Sequence, residues 1–368
     1  MAIAFPLFRI AQLAGFACGV LLTACAPLPA TTAKKFKGPL VWPQAPDQPR
    51  FAFQTVLRAP VDIAVPVSEK GKLLQELTGA QSASTQPVFN KPGAIVARKG
   101  RIYVADTKSA SIVVFDVPRR KIFRFGQREP NLLLKPVGLA LDDQRNVYVA
   151  DVQRRQVLVF DSLGLFKRVI GGPDDLDRPT GVAVSRDGER IYAIDRSSNE
   201  SDEHKVVMYD KDGVKIKVLG TRGNGPGQFN VPLQGAVAPD GTLYVLDSGN
   251  FRVQAFDRDG VFLRSFGGPG INTGNFARPR GIAVDDEGNL YVCDASFNNF
   301  QIFRPDGELL LAVGEAASES NPGRYGLLNG IAVDETGRVY VSDQLFNKVE
   351  VFRRLSEQEG QDMLKAAR

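Results

Sequence analysis

Histidine is nearly absent from this 368-residue chain; His204 is the only one. Zinc centres draw on several His or Cys ligands, and one His with three Cys does not supply such a set. A nucleophile–histidine–acid mechanism would need His204 itself in the site. It lies among Glu200, Asp202 and Glu203, an acidic loop expected to be solvated, so no catalytic residue is assigned. The apolar run Ile10 to Leu22 is too short to span a membrane comfortably. Tryptophan occurs once, in an N-terminal proline-rich segment. Charge of one sign is not concentrated either. The 46 basic and 41 acidic residues are interspersed, and the net charge of +5 is weak support for a nucleic-acid or anionic partner.

What the chain has is repetition. Gly281-Ile282-Ala283-Val284, an Asp-Asp-Glu-Gly turn and Leu290-Tyr291-Val292-Cys293-Asp294 form one phrase. Five close relatives of that phrase end at Asp106, Asp151, Asp195, Asp247 and Asp343. The spacing of 44 to 52 residues suits blades of short strands better than helical solenoid units. A third apolar stretch in each copy closes on an aromatic residue: Phe115, Phe160, Tyr209, Phe256, Phe303 and Phe352. A fourth, more polar stretch follows in the first five copies. Apolar and β-branched runs bounded by Asp-Gly and Gly-Asn turns read as strands. The expected fold is therefore all-β: a six-bladed propeller of four-stranded antiparallel blades.

The sixth copy lacks its fourth stretch, which would leave an open sheet edge. Arg50 to Leu57 (RFAFQTVL) has one alternating apolar face and is expected to complete that blade, closing the ring. The domain reading is a leader over 1–24, a Pro-rich tether over 25–49, a propeller over 50–355 and a polar, frayed helical tail over 356–368. Ser68 is a candidate cap for a short helix over Glu69 to Leu77.

The repeats carry Lys91-Pro92, Lys135-Pro136, Arg178-Pro179 and Arg278-Pro279 before the glycine strand, then Asp-x-x-Gly-x-Leu-Tyr-Val-x-Asp. They resemble NHL repeats over roughly residues 42 to 353. Blade four departs with an extra residue before Gly235, and blade six replaces the basic-Pro pair with Leu328-Asn329. Repeats of the Trp-Asp type are excluded by the single tryptophan. Leu22-Thr23-Ala24-Cys25 is similar to a bacterial lipobox, which implies acylation at Cys25 and anchoring to the lipid bilayer. Ala26 after it implies sorting to the outer membrane, facing the periplasm. Cys18 leaves with the leader, so Cys293 is alone, no disulfide is expected, and its strand position makes it a buried, inert thiol.

The six strand-ending aspartates recur in every blade. That argues for a structural role, accepting backbone amides of the next turn, over a catalytic one. Asp174, Asp175 and Asp177 crowd the loop before blade three and read as solvated turn acids, with a calcium site, which needs several oxygen ligands, as the alternative; no metal and no cofactor is assigned. The resembling lyases use clustered histidines, and lactonase-like propellers use an unrepeated carboxylate set around a metal. No unrepeated polar set is evident on the inner strands. Loops joining blades share one propeller face with those between second and third strands. They carry Lys108, Arg154, Arg155, Arg252 and Lys348, with Lys91, Lys135, Arg178 and Arg278 at the inter-blade entries and with Phe251, Phe297 and Phe346 in three of the loops. Basic groups beside aromatics describe a protein- or anion-binding face, or arginines paired with the strand-end acids. Some NHL proteins bind RNA on this face, but an exported protein meets none, so no nucleic acid is expected. The sequence thus points to a membrane-anchored scaffold binding an envelope protein or anionic ligand, with a channel-mouth hydrolase or lyase as the alternative.

Overall fold

The computed structural model describes residues 39–65, 68, 70, 77–78, 82–198 and 201–367. The leader, the lipobox and most of the helix read over Glu69 to Leu77 lie outside the described residues. Six antiparallel sheets follow one another along the chain as blades, five of four strands and one, blade 6, of five. Blade 1 is Pro92–Arg98, Arg101–Asp106, Ser111–Asp116 and Lys121–Phe125. Blades 2 to 5 repeat the order, beginning with inner strands Pro136–Leu141, Pro179–Val184, Pro232–Val237 and Pro279–Val284.

Blade 6 is assembled from both ends of the propeller. Leu328–Val333, Val339–Asp343 and Lys348–Arg354 supply three strands, and Phe51–Leu57 supplies the fourth. The register runs from Phe51 opposite Arg354 to Leu57 opposite Val349. Closure by the N-terminal strand is therefore as expected. The sheet goes one strand further than the sequence implies. Val41–Trp42, assigned to the tether, pairs with Ala52 and Phe51. The Trp42 ring meets Phe352 edge-on at 5.3 Å.

The polar C-terminal tail is helical, as expected. Residues Glu357–Ala367 form an α-helix, and its first turn is closed reciprocally. The Glu359 amide donates to Ser356 Oγ, and the Ser356 amide donates to Glu359 Oε2. This is a capping box. Gly360 allows the helix to rest on the segment before the closing strand, since a Cβ there would stand 2.4 Å from the Pro49 carbonyl.

A hydrophobic cluster fills each space between neighbouring blades. Between blades 1 and 2, for example, Tyr103, Ile112 and Val114 pack with Leu139, Val149 and Phe160. The third-strand aromatics are all buried. The strand-end aspartates hold the blades' upper edges. Asp294 accepts the amides of Ala277, Arg278, Ser296 and Phe297 at 2.8–3.1 Å. Asp106 does the same for Asn90, Lys91, Lys108 and Ser109. Each carboxylate thus fixes the blade's lead-in and its own turn, and charge-assisted bonds of this kind contribute roughly 1.5–3 kcal/mol each.

The repeat glycine is required by close approach. A Cβ on Gly330 would lie 2.3 Å from the Gly93 carbonyl, and one on Gly138 would lie 2.8 Å from Gly181 Cα. Inner strands of adjacent blades nearly touch at these points, and only a residue without a side chain fits.

Candidate functional site: the channel and its basic mouth

The inner strands surround an axial cavity of about 750 Å³. Its wall is aliphatic, with Leu139, Ala183, Ile282 and Ile331 among the lining residues. Its two ends differ in charge. The lower mouth, formed by hairpins between first and second strands, contributes Arg98, Arg186, Asp286 and Glu335. Both arginines there are paired: Arg98 with Asp143 at 2.5 Å, and Arg186 of blade 3 with Asp286 of blade 5.

The upper mouth lies where the chain enters each inner strand. It is lined by Lys91, Lys135, Arg178, Arg196, Arg278 and Arg280. None of these six side chains has an ion pair or hydrogen bond among the described residues, and Arg196 Nε is buried without a partner. The arginines sense one another. Burial, then repulsion from Arg278 and Arg196, lowers the pKa of the Arg280 guanidinium. Burial, then repulsion from Arg178, does the same to Arg196. Uncompensated, partly desolvated cations facing a common cavity are a site prepared for negative charge.

Polar groups that do not repeat between blades complete this mouth. Thr180, Gln234, Arg280 and Asn329 all line it, so the inner strands do carry the unrepeated polar set that the sequence reading did not find. The extra residue of blade four explains one of them. It puts Gln234 opposite Leu246, the pairing position that the repeat glycine holds in blades 2, 3, 5 and 6, and Gln234 reaches over its neighbours. Its Nε2 donates to the carbonyls of Thr180 at 2.9 Å and Val137 at 3.2 Å, in blades 3 and 2.

Of the basic face expected from the sequence, Lys91, Lys135, Arg178 and Arg278 line the channel mouth, whereas Lys108, Arg154, Arg155, Arg252 and Lys348 lie outside the channel lining. Lys348 does not reach the surface. Its side chain is 1% exposed, pairs with Glu350 at 2.5 Å and donates to the carbonyls of Asn321 and Arg324. It also stands over the rings of Tyr325 and Phe346. Arg252, the equivalent residue of blade 4, pairs with Asp247 and holds the carbonyls of Asn224, Gly225 and Gln228. Arg154 donates to Leu132 O, and Arg155 to Leu176 O and Pro173 O. These four cations brace the loops leading into inner strands. Lys108 is exposed, Phe297 half-buried, and Phe251 packs against the core between blades 4 and 5.

His204 is likewise not a solvated surface residue. It is fully buried, and its Nδ1 accepts the Val231 amide at 3.0 Å, so it braces the lead-in of blade 4. It does not line the channel. Cys293 is buried, and desolvation pushes its thiol up to about 12. Asp175 and Asp177, read as solvated, pair with Lys215 and Arg155. Among the described residues no group of three or more His, Cys, Asp or Glu is placed to hold a metal ion.

Solved structures with this ring include a structural-genomics protein of unknown function from Bacteroides thetaiotaomicron (TM-score 0.58, 18% identity, covering 74% of this chain and 71% of that one). A gluconolactonase from Xanthomonas campestris matches with TM-score 0.55 and 18% identity over 82% of this chain and 98% of its own. Virginiamycin B lyase from Staphylococcus aureus matches with TM-score 0.52 and 12% identity over 83% and 100%. At such identities the likeness concerns the fold alone. Residues 276–304, which contain the first three strands of blade 5, match the NHL repeat family model. With five four-stranded sheets and a sixth blade extended by Val41–Trp42, the chain is a six-bladed β-propeller carrying an NHL repeat in its fifth blade.

Proposed function

We propose that this propeller is a binding module of the bacterial cell envelope, lipid-anchored through Cys25, that captures an anionic ligand or an acidic segment of an envelope protein at its upper channel mouth. The contrast between the two mouths carries the reading. Lower-mouth arginines have carboxylate partners, whereas the six upper-mouth cations have none among the described residues. Holding like charges together without counter-ions costs stability, and function is the usual reason such a cost persists.

The test is binding of a fluorescent oligocarboxylate probe at low and high salt. Wild type should bind with marked salt sensitivity. Arg196→Gln with Arg280→Gln should abolish binding, and Lys108→Gln should leave it unchanged. Equal binding by all three proteins would remove the upper mouth from consideration. The anchor is tested separately. Cys25→Ser should abolish labelling by a fatty-acid analogue, and persistent labelling would refute the assignment.

A second reading is a hydrolase or lyase at the same mouth. It is favoured by the unrepeated set Thr180, Gln234, Arg280 and Asn329, and by the shared ring of the gluconolactonase and the lyase. Lactone turnover that Arg280→Gln eliminates would favour it over simple capture.

A further inference from the structure

The arrangement of the upper-mouth cations narrows the ligand class. Lys91, Lys135 and Arg278 are exposed at the rim, whereas Arg178, Arg196 and Arg280 are partly buried on the wall below it. The arginines come from blades 3 and 5 and flank blade 4, and they are close enough to repel one another. A single negative charge would leave most of that repulsion in place. Contacts between non-adjacent blades also cross both mouths, an arrangement suited to a compact ligand rather than a threaded polymer. Gln234 reaches over blades 3 and 2 near the top, and Arg186 joins Asp286 between blades 3 and 5 at the bottom.

Resting on the capture reading, we infer that the ligand is a compact polyvalent anion, a small molecule with more than one carboxylate or phosphate group, seated among Arg178, Arg196, Arg278 and Arg280. Guanidinium forks suit both groups, because each presents paired oxygens to paired N–H donors. Neutral donors on the other side of the mouth, such as the Asn329 amide, would orient the body of the molecule.

The experiment titrates the full chain with acetate, succinate, citrate and inorganic phosphate at constant ionic strength, with polyglutamate as the polymer arm. Affinity should rise steeply with valence, citrate exceeding acetate by about 100-fold or more. Arg196→Gln or Arg280→Gln should each lower citrate affinity by about tenfold and change acetate binding little. Phosphate binding above succinate would assign the phosphate form of this chemistry, and the reverse order the carboxylate form. Equal affinity for acetate and citrate would overturn the polyvalent inference while leaving anion capture standing. Tighter binding of polyglutamate, indifferent to Arg196→Gln and Arg280→Gln, would move the ligand to the exposed rim and overturn the compact form. Absence of binding by any anion would overturn the capture reading itself. The valence series is read on wild type, so it does not depend on the folding of any variant.

Discussion

Ser342 Oγ donates a 2.6 Å hydrogen bond to the carbonyl of Gly93 and accepts the Gly330 amide at 2.9 Å. It thereby stitches the inner strand of blade 6 to that of blade 1. The equivalent positions elsewhere are Ala105, Ala150, Ile194, Leu246 and Cys293, none of which carries a hydroxyl. The seam that joins distant parts of the chain is thus stitched by a second-strand hydroxyl at a position that is apolar in the other five blades.

Ser342→Ala should therefore cost about 1–3 kcal/mol, the penalty for leaving buried backbone groups short of a partner. Urea unfolding with an unchanged m-value would measure it. A free energy within error of wild type would show that the hydroxyl is dispensable for closure.

Removing residues 50–57 strips the fourth strand from blade 6 and exposes Lys348–Arg354 as a bare edge. The deletion should lose cooperative thermal unfolding. The milder Phe51→Ala, at a buried site packed with Tyr325 and Phe352, should cost about 3–5 kcal/mol. A wild-type midpoint for the deletion would mean that closure does not depend on this strand.

Sequence reasoning expects Lys348→Ala to be tolerated as an exposed change. The structure predicts the opposite. Lys348→Met would leave Glu350 buried without its cation and should cost about 3–5 kcal/mol. Adding Glu350→Met should recover most of that loss, and a double-mutant cycle would measure the coupling. Additive losses would deny that the pair acts as a unit.

Acid sensitivity should be traceable to Asp116. Burial pushes its carboxyl up, but hydrogen bonds from Arg119 and Arg101 outweigh burial and hold it below the ordinary aspartate value of 3.8. A folded-state value below the unfolded one gives stability that is present above the unfolded value and lost as pH falls through the folded one. Asp116→Asn forgoes that contribution. Its deficit relative to wild type should shrink as pH falls from about 5 to about 3, followed by urea unfolding at each pH. A deficit constant across that range would contradict the assignment.

The ring was legible because each blade repeats its own requirements. Gly330 and Asp343 announce a close approach and an amide-gathering strand end, and six copies make the pattern hard to mistake. The basic face was legible in sign, in location and in Lys91, Lys135, Arg178 and Arg278, but not in Arg196 and Arg280, nor in the inward turn of Arg252 and Lys348. Arg252 and Lys348 begin third strands two residues before Gln254 and Glu350, and all four side chains fold inward onto the loops ahead of them. That spacing is visible in the sequence, yet only the loop's position over the strand gives it meaning. Arg280 was passed over because the residue before the repeat glycine changes from blade to blade. His204 was misread because nearby acids suggested solvent, whereas its actual neighbour is the Val231 amide, distant in sequence. The Ser356-x-x-Glu359 spacing of a capping box is visible in the tail and marks where its helix begins.

Blade 6 also sets the timing of folding. Phe51 leaves the ribosome, and under the export reading crosses the membrane, long before its partner Arg354 exists; the pair is separated by 354 − 51 = 303 positions. Until then Phe51–Leu57 has no sheet to join, while blades 1 to 5 can assemble in order from neighbouring segments. Sealing the ring thus waits on the synthesis of the last propeller strand, which makes closure the most non-local pairing in the fold.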